Sequence, residues 1–214
     1  MKKKIALILG CTGQDGSYMC EYLIKKGYHV FGLFRKSATD NKKNIQSLIS
    51  NNKIFEKKFF LIKGDLLDPN SIDNAISISK PNEIYNFADQ DNVGWSNEIP
   101  SYSFNVTASS LINIFEIIRK QKRKIKFFQP FTSNMFAWDK KKKQNENSLI
   151  SPSSIYALSK ASAYLAAQMY NKIYDLNICG AIYFNHESPR RNKEYVSQKI
   201  VRTACDIYKG KKNK

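Results

Sequence analysis

One early stretch constrains this chain more than any other. The apolar run Ile5-Ala6-Leu7-Ile8-Leu9 leads directly into Gly10-Cys11-Thr12-Gly13-Gln14-Asp15-Gly16. A short, wholly apolar run bounded by glycine reads as a parallel strand buried on both faces. From Ser17 to Lys26, Tyr18, Met19, Tyr22 and Leu23 recur at helical spacing, and Lys25-Lys26-Gly27 ends the helix. Strand, glycine loop and helix in that order present backbone N–H groups and a positive dipole end to a phosphate. Gly10 allows the tight turn, Gly13 lets a pyrophosphate approach the backbone, and Gly16 lets the helix pack closely on the strand. Thr12, Gln14 and Asp15 share this loop and are candidate contacts. The glycine spacing is one residue wider than the common dinucleotide fingerprint, and an ordinary β-to-α turn also uses glycine. The flanking strand and helix decide the reading, which is dinucleotide binding.

The rest of the chain repeats the alternation. Strand-like segments follow at Tyr28 to Phe34, Phe59 to Lys63, Glu83 to Phe87, Lys124 to Phe131 and Asn177 to Phe184. Between them, residues 41–58 are polar with one helical stripe, Ile45, Leu48 and Ile49. Asp68-Pro69 opens a helix with a capping side chain and proline at its first position. Tyr102 to Arg123 reads as a long helix whose apolar face is Val106, Leu111, Ile114, Phe115 and Ile118. Further helices span Ser154 to Tyr174 and roughly Tyr195 to Lys209. Strands alternating with helices predict an α/β fold, a doubly wound parallel sheet of the Rossmann kind.

Such sheets bind ligands at the carboxyl ends of their strands. Arg35-Lys36-Ser37 ends the second strand, Gly64-Asp65-Leu66 the third, and Phe87-Ala88-Asp89-Gln90-Asp91-Asn92 the fourth. Where NAD binders carry a carboxylate for the ribose 2′-hydroxyl, this chain carries Arg35, which suits a 2′-phosphate and predicts NADP. Asp65 either accepts from an adenine amino group or holds a turn.

Composition narrows the partners. Thirty-five Lys and Arg against 18 Asp and Glu give a net charge of +17. The lysines gather at Lys2 to Lys4, Lys140 to Lys143 and Lys209 to Lys214, without the interleaved aromatics of a nucleic-acid stacking platform. A solvated surface is therefore expected, with no nucleic-acid partner. No run approaches the ~20 apolar residues of a membrane span. Cys11, Cys20, Cys179 and Cys205 lack paired spacing and the two histidines are distant, so a metal site is not expected and a reducing, cytoplasmic setting is.

Tyr156-Ala157-Leu158-Ser159-Lys160 places a phenol and an ammonium four residues apart on one helical face. A neighbouring ammonium lowers a phenol from its usual value of about 10, so that it can take a proton from a substrate alcohol. Thr132 or Ser133, at the end of the fifth strand, can hold the same oxygen.

With these motifs together, the sequence resembles the extended short-chain dehydrogenase/reductase family, and within it the GDP-mannose 4,6-dehydratases. The resemblance rests on Gly10 to Tyr18, Arg35-Lys36-Ser37, Gly64-Asp65-Leu66, Gln90 to Ser96, Tyr156 to Lys160 and Asn185-His186-Glu187-Ser188-Pro189-Arg190-Arg191. It implies a lyase with an internal redox cycle. A hydride passes from mannose C4 to NADP as Tyr156 removes the hydroxyl proton, water leaves across C5 and C6, and the hydride returns to C6. The product is GDP-4-keto-6-deoxymannose, a precursor of GDP-fucose. By matched position Thr132 is the catalytic hydroxyl, and Lys160 contacts both the ribose and Tyr156. Asp65, Leu66, Phe87, Ala88, Gln90, Asp91, Tyr102, His186 and Arg191 are cofactor contacts, and Asn185 and Lys199 sugar-nucleotide contacts. The resemblance also implies a homo-oligomer, with residues 1–184 as the NADP-binding domain and 185–214 as the start of a substrate-binding part.

The departures from the family pattern are specific. Asn134 stands where the family has the glutamate that removes the C5 proton, and a neutral amide cannot do so. Asp89-Gln90-Asp91-Asn92 replaces Ala-Gln-Ser-His, and Ser110 and Ala137 replace glycines. Three functions follow as expectations: the dehydratase, an NADP-dependent sugar-nucleotide oxidoreductase or epimerase that skips the elimination, and a non-catalytic cofactor-binding protein.

Overall fold

The computed structural model describes residues 3–38, 41–137 and 143–211. The chain divides into two units, Met1–Phe184 and Asn185–Lys214.

In the first unit six strands form one sheet: β1 (Ile5–Leu9), β2 (His29–Phe34), β3 (Phe59–Lys63), β4 (Glu83–Asn86), β5 (Lys126–Thr132) and β6 (Ile178–Tyr183). Every pairing is parallel and the order is β3-β2-β1-β4-β5-β6. This is the doubly wound sheet expected, and its strand order reverses between β1 and β4, where such sheets open a ligand crevice. The helices are α1 (Gln14–Lys25), α2 (Gln46–Ile49), α3 (Pro69–Ser79), α4 (Val93–Glu98), α5 (Pro100–Phe104), α6 (Ser110–Arg119) and α7 (Ile155–Tyr174).

Side chains alternate across β1 and so feed two cores. Leu7 and Leu9 join Ile72 and Ile76 of α3, Ile114 and Phe115 of α6, and Ala163 of α7 on one face. Ala6 and Ile8 join Cys20, Leu23 and Ile24 of α1, with Ile45 and Phe59, on the other.

Helix α1 corrects the sequence reading in one respect. Its buried side is Gly16, Ser17, Cys20, Leu23 and Ile24, whereas Tyr18 and Tyr22 are 39% and 55% exposed. The helix meets the sheet end so closely at Gly16 that small residues face inward and the tyrosines point out.

The long helix expected over Tyr102 to Arg123 begins at Pro100 and ends at Arg119. It carries a π-helical turn, Asn105–Ser109, between α5 and α6. Val106, Leu111, Ile114, Phe115 and Ile118 are all buried, as their spacing requires. Ser110, which replaces a glycine of the family pattern, is buried with its hydroxyl donating to the Val106 carbonyl at 2.5 Å. Asp68 caps α3 by accepting from the Asn70 N–H, and Ser154 caps α7 by accepting from the Ala157 N–H. Of the basic loop expected over Asp139 to Ser148, residues 139–142 lie outside the described residues. The flanking Phe136 and Ile150 form an antiparallel bridge.

The second unit carries α8 (Val196–Tyr208), with no buried residue and with Val196, Ile200 and Val201 exposed.

Candidate active site

The parallel sheet brings the loops after β1, β2, β3, β4 and β5 to its carboxyl end, where the predicted residues on those loops lie. After β1, Gly10 adopts φ +76°, and a Cβ there would meet the Phe87 carbonyl oxygen at 2.5 Å and the Ala88 Cα at 2.8 Å. The glycine is therefore required twice, by backbone conformation and by the β4 end pressing against it. A Cβ on Gly16 would collide with the Gly10 carbonyl, so this glycine packs against the loop itself as well as allowing the helix close to the strand. Gly13 is the N-cap of α1 and has no side chain to cap it. Thr12 accepts through its carbonyl from Asn44 Nδ2 at 3.1 Å, which ties the loop to the segment before α2. Beneath the loop Cys11 is buried, and its thiol is pushed up to about 12 by burial. It is an inert packing group against Gly32.

Arg35 and Tyr102, 67 residues apart, meet at the end of β2. The Arg35 guanidinium donates to the Tyr102 hydroxyl at 2.5 Å. The Arg35 carbonyl accepts from Asn41 Nδ2 at 3.1 Å, and the Tyr102 ring lies 6.2 Å from Trp95. Asp65 holds a turn: its Oδ1 accepts from the Leu67 N–H at 3.0 Å, and its own N–H donates to Ser71. Leu66 is buried in the core. The loop after β4 is fixed by Gln90, whose amide donates to the Asn92 carbonyl and Ser103 hydroxyl and accepts from the Asn92 N–H at 2.6 Å. Phe87 N–H donates to Leu9 O, which stitches this loop to β1. Asp91 is exposed beside it.

Lys160 of α7 reaches into the gap between β4 and β5. Those strands pair only as far as Tyr85 and Phe128. Beyond that point the space is filled by a buried polar network that sequence reading did not assemble. Lys160 Nζ lies 2.6 Å from Asp89 Oδ2, and both side chains are about 5% exposed or less. The Asp89 carboxylate also accepts from Gln129 Nε2 at 2.6 Å and Asn86 Nδ2 at 2.9 Å, and Asn86 Nδ2 reaches Gln129 Oε1 at 2.8 Å. Lys160 gives a second hydrogen bond to the Pro130 carbonyl at 2.9 Å. The Lys126 N–H points to β4 and the Phe127 N–H to the β6 side, so by alternation Pro130 faces β4. Proline is tolerated in this inner strand because the ladder to β4 has already ended there. Burial pulls the Lys160 ammonium down. The attraction of Asp89, with Tyr156 and Asp91, outweighs it and holds the lysine above its ordinary value.

Thr132 is buried at the end of β5, and its Oγ1 accepts from the Asn134 N–H at 3.3 Å. Its hydroxyl hydrogen is therefore available to another acceptor. Ser133 is half-buried and Asn134 exposed, both in the 3₁₀ turn that follows. The Tyr156 N–H donates to Ser96 Oγ at 3.1 Å, which anchors the start of α7 to α4. The polar residues Gln129 within β5 and Asn86 at the end of β4, both fully buried, were the available signal for this network.

The remaining predicted residues belong to the second unit. There the Arg191 guanidinium stacks 3.7 Å over Tyr195, with its Nε 3.8 Å from Glu187. Lys199 Nζ lies 4.0 Å from Glu194, and Asn185 and His186 are exposed. A groove of about 620 Å³ runs along the β6 edge, lined by Phe131, Phe136, Tyr164 and Ile182 among others. None of the predicted site residues lines it. No helix among the described residues is long and apolar enough to cross a membrane, and no group of three acidic, histidine or cysteine side chains among them could hold a metal ion.

Comparison with known proteins agrees with this geometry. The GDP-mannose 4,6 dehydratase family model matches residues 7–214. Among curated proteins, GDP-mannose 4,6 dehydratase 1 of Arabidopsis thaliana is 38% identical, over 99% of this chain and 60% of its own length. GDP-mannose 4,6-dehydratase of Vibrio cholerae is 37% identical, over 98% of this chain and 57% of its own length. The chain thus spans about 60% of the length of the curated relatives it matches. Among solved structures, a dTDP-glucose 4,6-dehydratase of Streptomyces venezuelae with bound NAD has a TM-score of 0.83 at 19% identity, covering 96% of this chain and 62% of that one. The UDP-glucose 4-epimerase of Thermus thermophilus with NAD has a TM-score of 0.79 at 22% identity, covering 96% of this chain and 63% of that one. From the glycine loop to the sequence after β6, the chain belongs to the GDP-mannose 4,6-dehydratase family.

Proposed function

We propose that this chain is the dinucleotide-binding portion of a GDP-mannose 4,6-dehydratase that works on GDP-mannose with NADP. The observation that carries the reading is the glycine loop at the β1/β4 switch point, held in so tight a turn that a Cβ at Gly10 or Gly16 would collide with the backbone of Phe87, Ala88 or Gly10 itself. The residues fit a dinucleotide: the loop Gly10 to Gly16 and the start of α1 suit a pyrophosphate, and Arg35 beside Tyr102 suits a 2′-phosphate. Bound there, the dinucleotide supplies a nicotinamide that accepts and returns a hydride.

The chain's own residues divide the remaining work. Tyr156 accepts the proton of the sugar C4 hydroxyl, and Thr132, with its oxygen already holding the Asn134 N–H, donates to the same substrate oxygen. Lys160 stands one helical turn from Tyr156 and serves the ribose and the phenol. Asn134 occupies the place of the C5 base. His186 and Arg191 serve the cofactor, and Asn185 and Lys199 the sugar nucleotide. The protein reads as cytoplasmic and homo-oligomeric. In support of the latter, Leu158, Leu165, Met169 and Ile173 leave an exposed apolar stripe along α7.

Incubation of the chain with NADP and GDP-mannose, followed by mass analysis, tests the reading. It predicts a sugar nucleotide one water lighter than the substrate, with Asn134→Glu raising its yield. A ketone or C4 epimer of unchanged composition supports the second reading, the oxidoreductase or epimerase, which Asn134 specifically favours. No change to the sugar nucleotide under either condition overturns both.

A further inference from the structure

The helix running from α5 into α6 holds one residue more than an even α-helix would need. Up to Asn105 it is regular, with the Asn105 N–H donating to the Ser101 carbonyl. The Ser110 N–H then reaches back five residues to the Asn105 carbonyl, which makes Asn105–Ser109 a π turn. Each residue advances an α-helix by about 100°, so one extra residue rotates α5 by that much against α6. In α6, Leu111, Ile114, Phe115 and Ile118 are buried in the core. Counted back from Leu111 along an even helix, the inward places would fall at Thr107 and Phe104. Through the π turn they fall at Val106 and Ser103, both buried, and Phe104 is left half-buried.

Two polar details mark the turn as imposed by its surroundings. With its N–H committed to Asn105, Ser110 supplies the Val106 carbonyl with its hydroxyl instead, at 2.5 Å. Thr107 Oγ1 is buried with no hydrogen-bond partner among the described residues. A buried hydroxyl left unpaired is unfavourable, and such a feature persists where neighbouring structure holds it. The neighbours on the α5 side are the loops at the carboxyl end of the sheet. Tyr102 accepts from the Arg35 guanidinium after β2, and Ser103 Oγ accepts from Gln90 Nε2 after β4 at 3.2 Å.

We propose that the π turn, closed by Ser110, is the device that aims Tyr102 at Arg35 and Ser103 at Gln90, and that it thereby sets the preference for NADPH over NADH. The proposal rests on the reading of Arg35 as the group that takes the 2′-phosphate. It makes Ser110 a positioning residue: its side chain touches neither Arg35 nor Tyr102 and acts through the phase of the helix between them.

The test compares equilibrium binding of NADPH and NADH to the full chain and its variants. Removing Asn105, the exposed first residue of the turn, leaves an even helix. It lowers the ratio of NADPH to NADH affinity by about fivefold, the worth of one hydrogen bond, and leaves NADH affinity unchanged. Tyr102→Phe lowers the ratio by the same amount in the native chain and adds nothing in the shortened one. A turn that only supports the fold would lower the unfolding temperature and weaken both dinucleotides together, with the ratio intact. Ser110→Ala removes a single hydroxyl without adding volume and serves if the shortened chain does not fold. It lowers the ratio by about twofold. A native ratio in the folded shortened chain, or failing that in Ser110→Ala, overturns the proposal. A native chain that binds the two dinucleotides equally overturns instead the reading of Arg35, and the proposal with it.

Discussion

The Arg35 guanidinium donates to the hydroxyl of Tyr102 at 2.5 Å, joining the end of β2 to helix α5. Two residues assigned separately to the cofactor are thus one unit, with Tyr102 orienting the guanidinium. Replacing Arg35→Ala is expected to weaken NADPH binding by about 2 kcal/mol, roughly thirtyfold, the value of hydrogen bonds to a charged group. NADH binding should change little. Tyr102→Phe should weaken NADPH in the same direction by about half as much. Equilibrium titration of cofactor fluorescence measures both.

The glycine loop tolerates no side chain where it touches itself. Gly16→Ala puts a methyl group into the Gly10 carbonyl, a backbone neighbour that cannot move aside. A loss of about 3 kcal/mol is expected, the upper range for overpacking. At Gly27 an added methyl would meet nothing within 4 Å and would carry only the strain of a φ of +83°, so Gly27→Ala should cost about 1 kcal/mol. Urea unfolding of the two variants distinguishes a packing constraint from a conformational one.

Helix α7 is tied to α6 by Tyr170 and Glu116, hydroxyl to carboxylate at 2.9 Å. Burial, then the hydrogen bond to Glu116, pushes the Tyr170 phenol up to about 12. A raised value in the folded state means the stabilisation is whole below the phenol's ordinary value of about 10 and is lost as pH rises toward the higher one. Glu116 is held below its ordinary value by its hydrogen bond to Arg119 first and to Tyr170 second. Its contribution is present above the ordinary carboxylate range and lost as pH falls through the lowered value. Unfolding midpoints measured against pH should therefore fall at both ends. Tyr170→Phe should make the alkaline decline shallower and leave the acid limb mostly in place, since the Arg119 contact remains.

Much of this was legible in the chain because the deciding interactions are local. Ile5 to Leu9, Phe59 to Lys63 and the Asp68-Pro69 helix start appear as expected, each set by an apolar run or a capping side chain beside it. On the inward side of α1, Leu23 is buried as its spacing requires, but Gly16, Ser17 and Cys20 take the places that the large aromatics Tyr18 and Tyr22 were expected to fill. How closely the helix approaches depends on Gly16 against Gly10, a contact that periodicity does not encode. The π turn at Asn105–Ser109 has no sequence period of its own. The Asn86, Asp89, Gln129 and Lys160 network draws on two strands, a loop and a helix. It forms only because β4 and β5 part after Tyr85 and Phe128. Asp89 was visible as a carboxylate out of place, but its partner required the sheet.

The central claim is a nicotinamide dinucleotide site selective for the 2′-phosphate, and thermal unfolding of the chain with NADPH against NADH tests it most directly. At 100 times its dissociation constant a bound ligand stabilises the folded state by about 2.7 kcal/mol. The unfolding temperature is predicted to rise with NADPH and to rise less with NADH at the same concentration, and Arg35→Ala should lose the difference. A folded chain whose unfolding temperature is unchanged by either dinucleotide would contradict the claim.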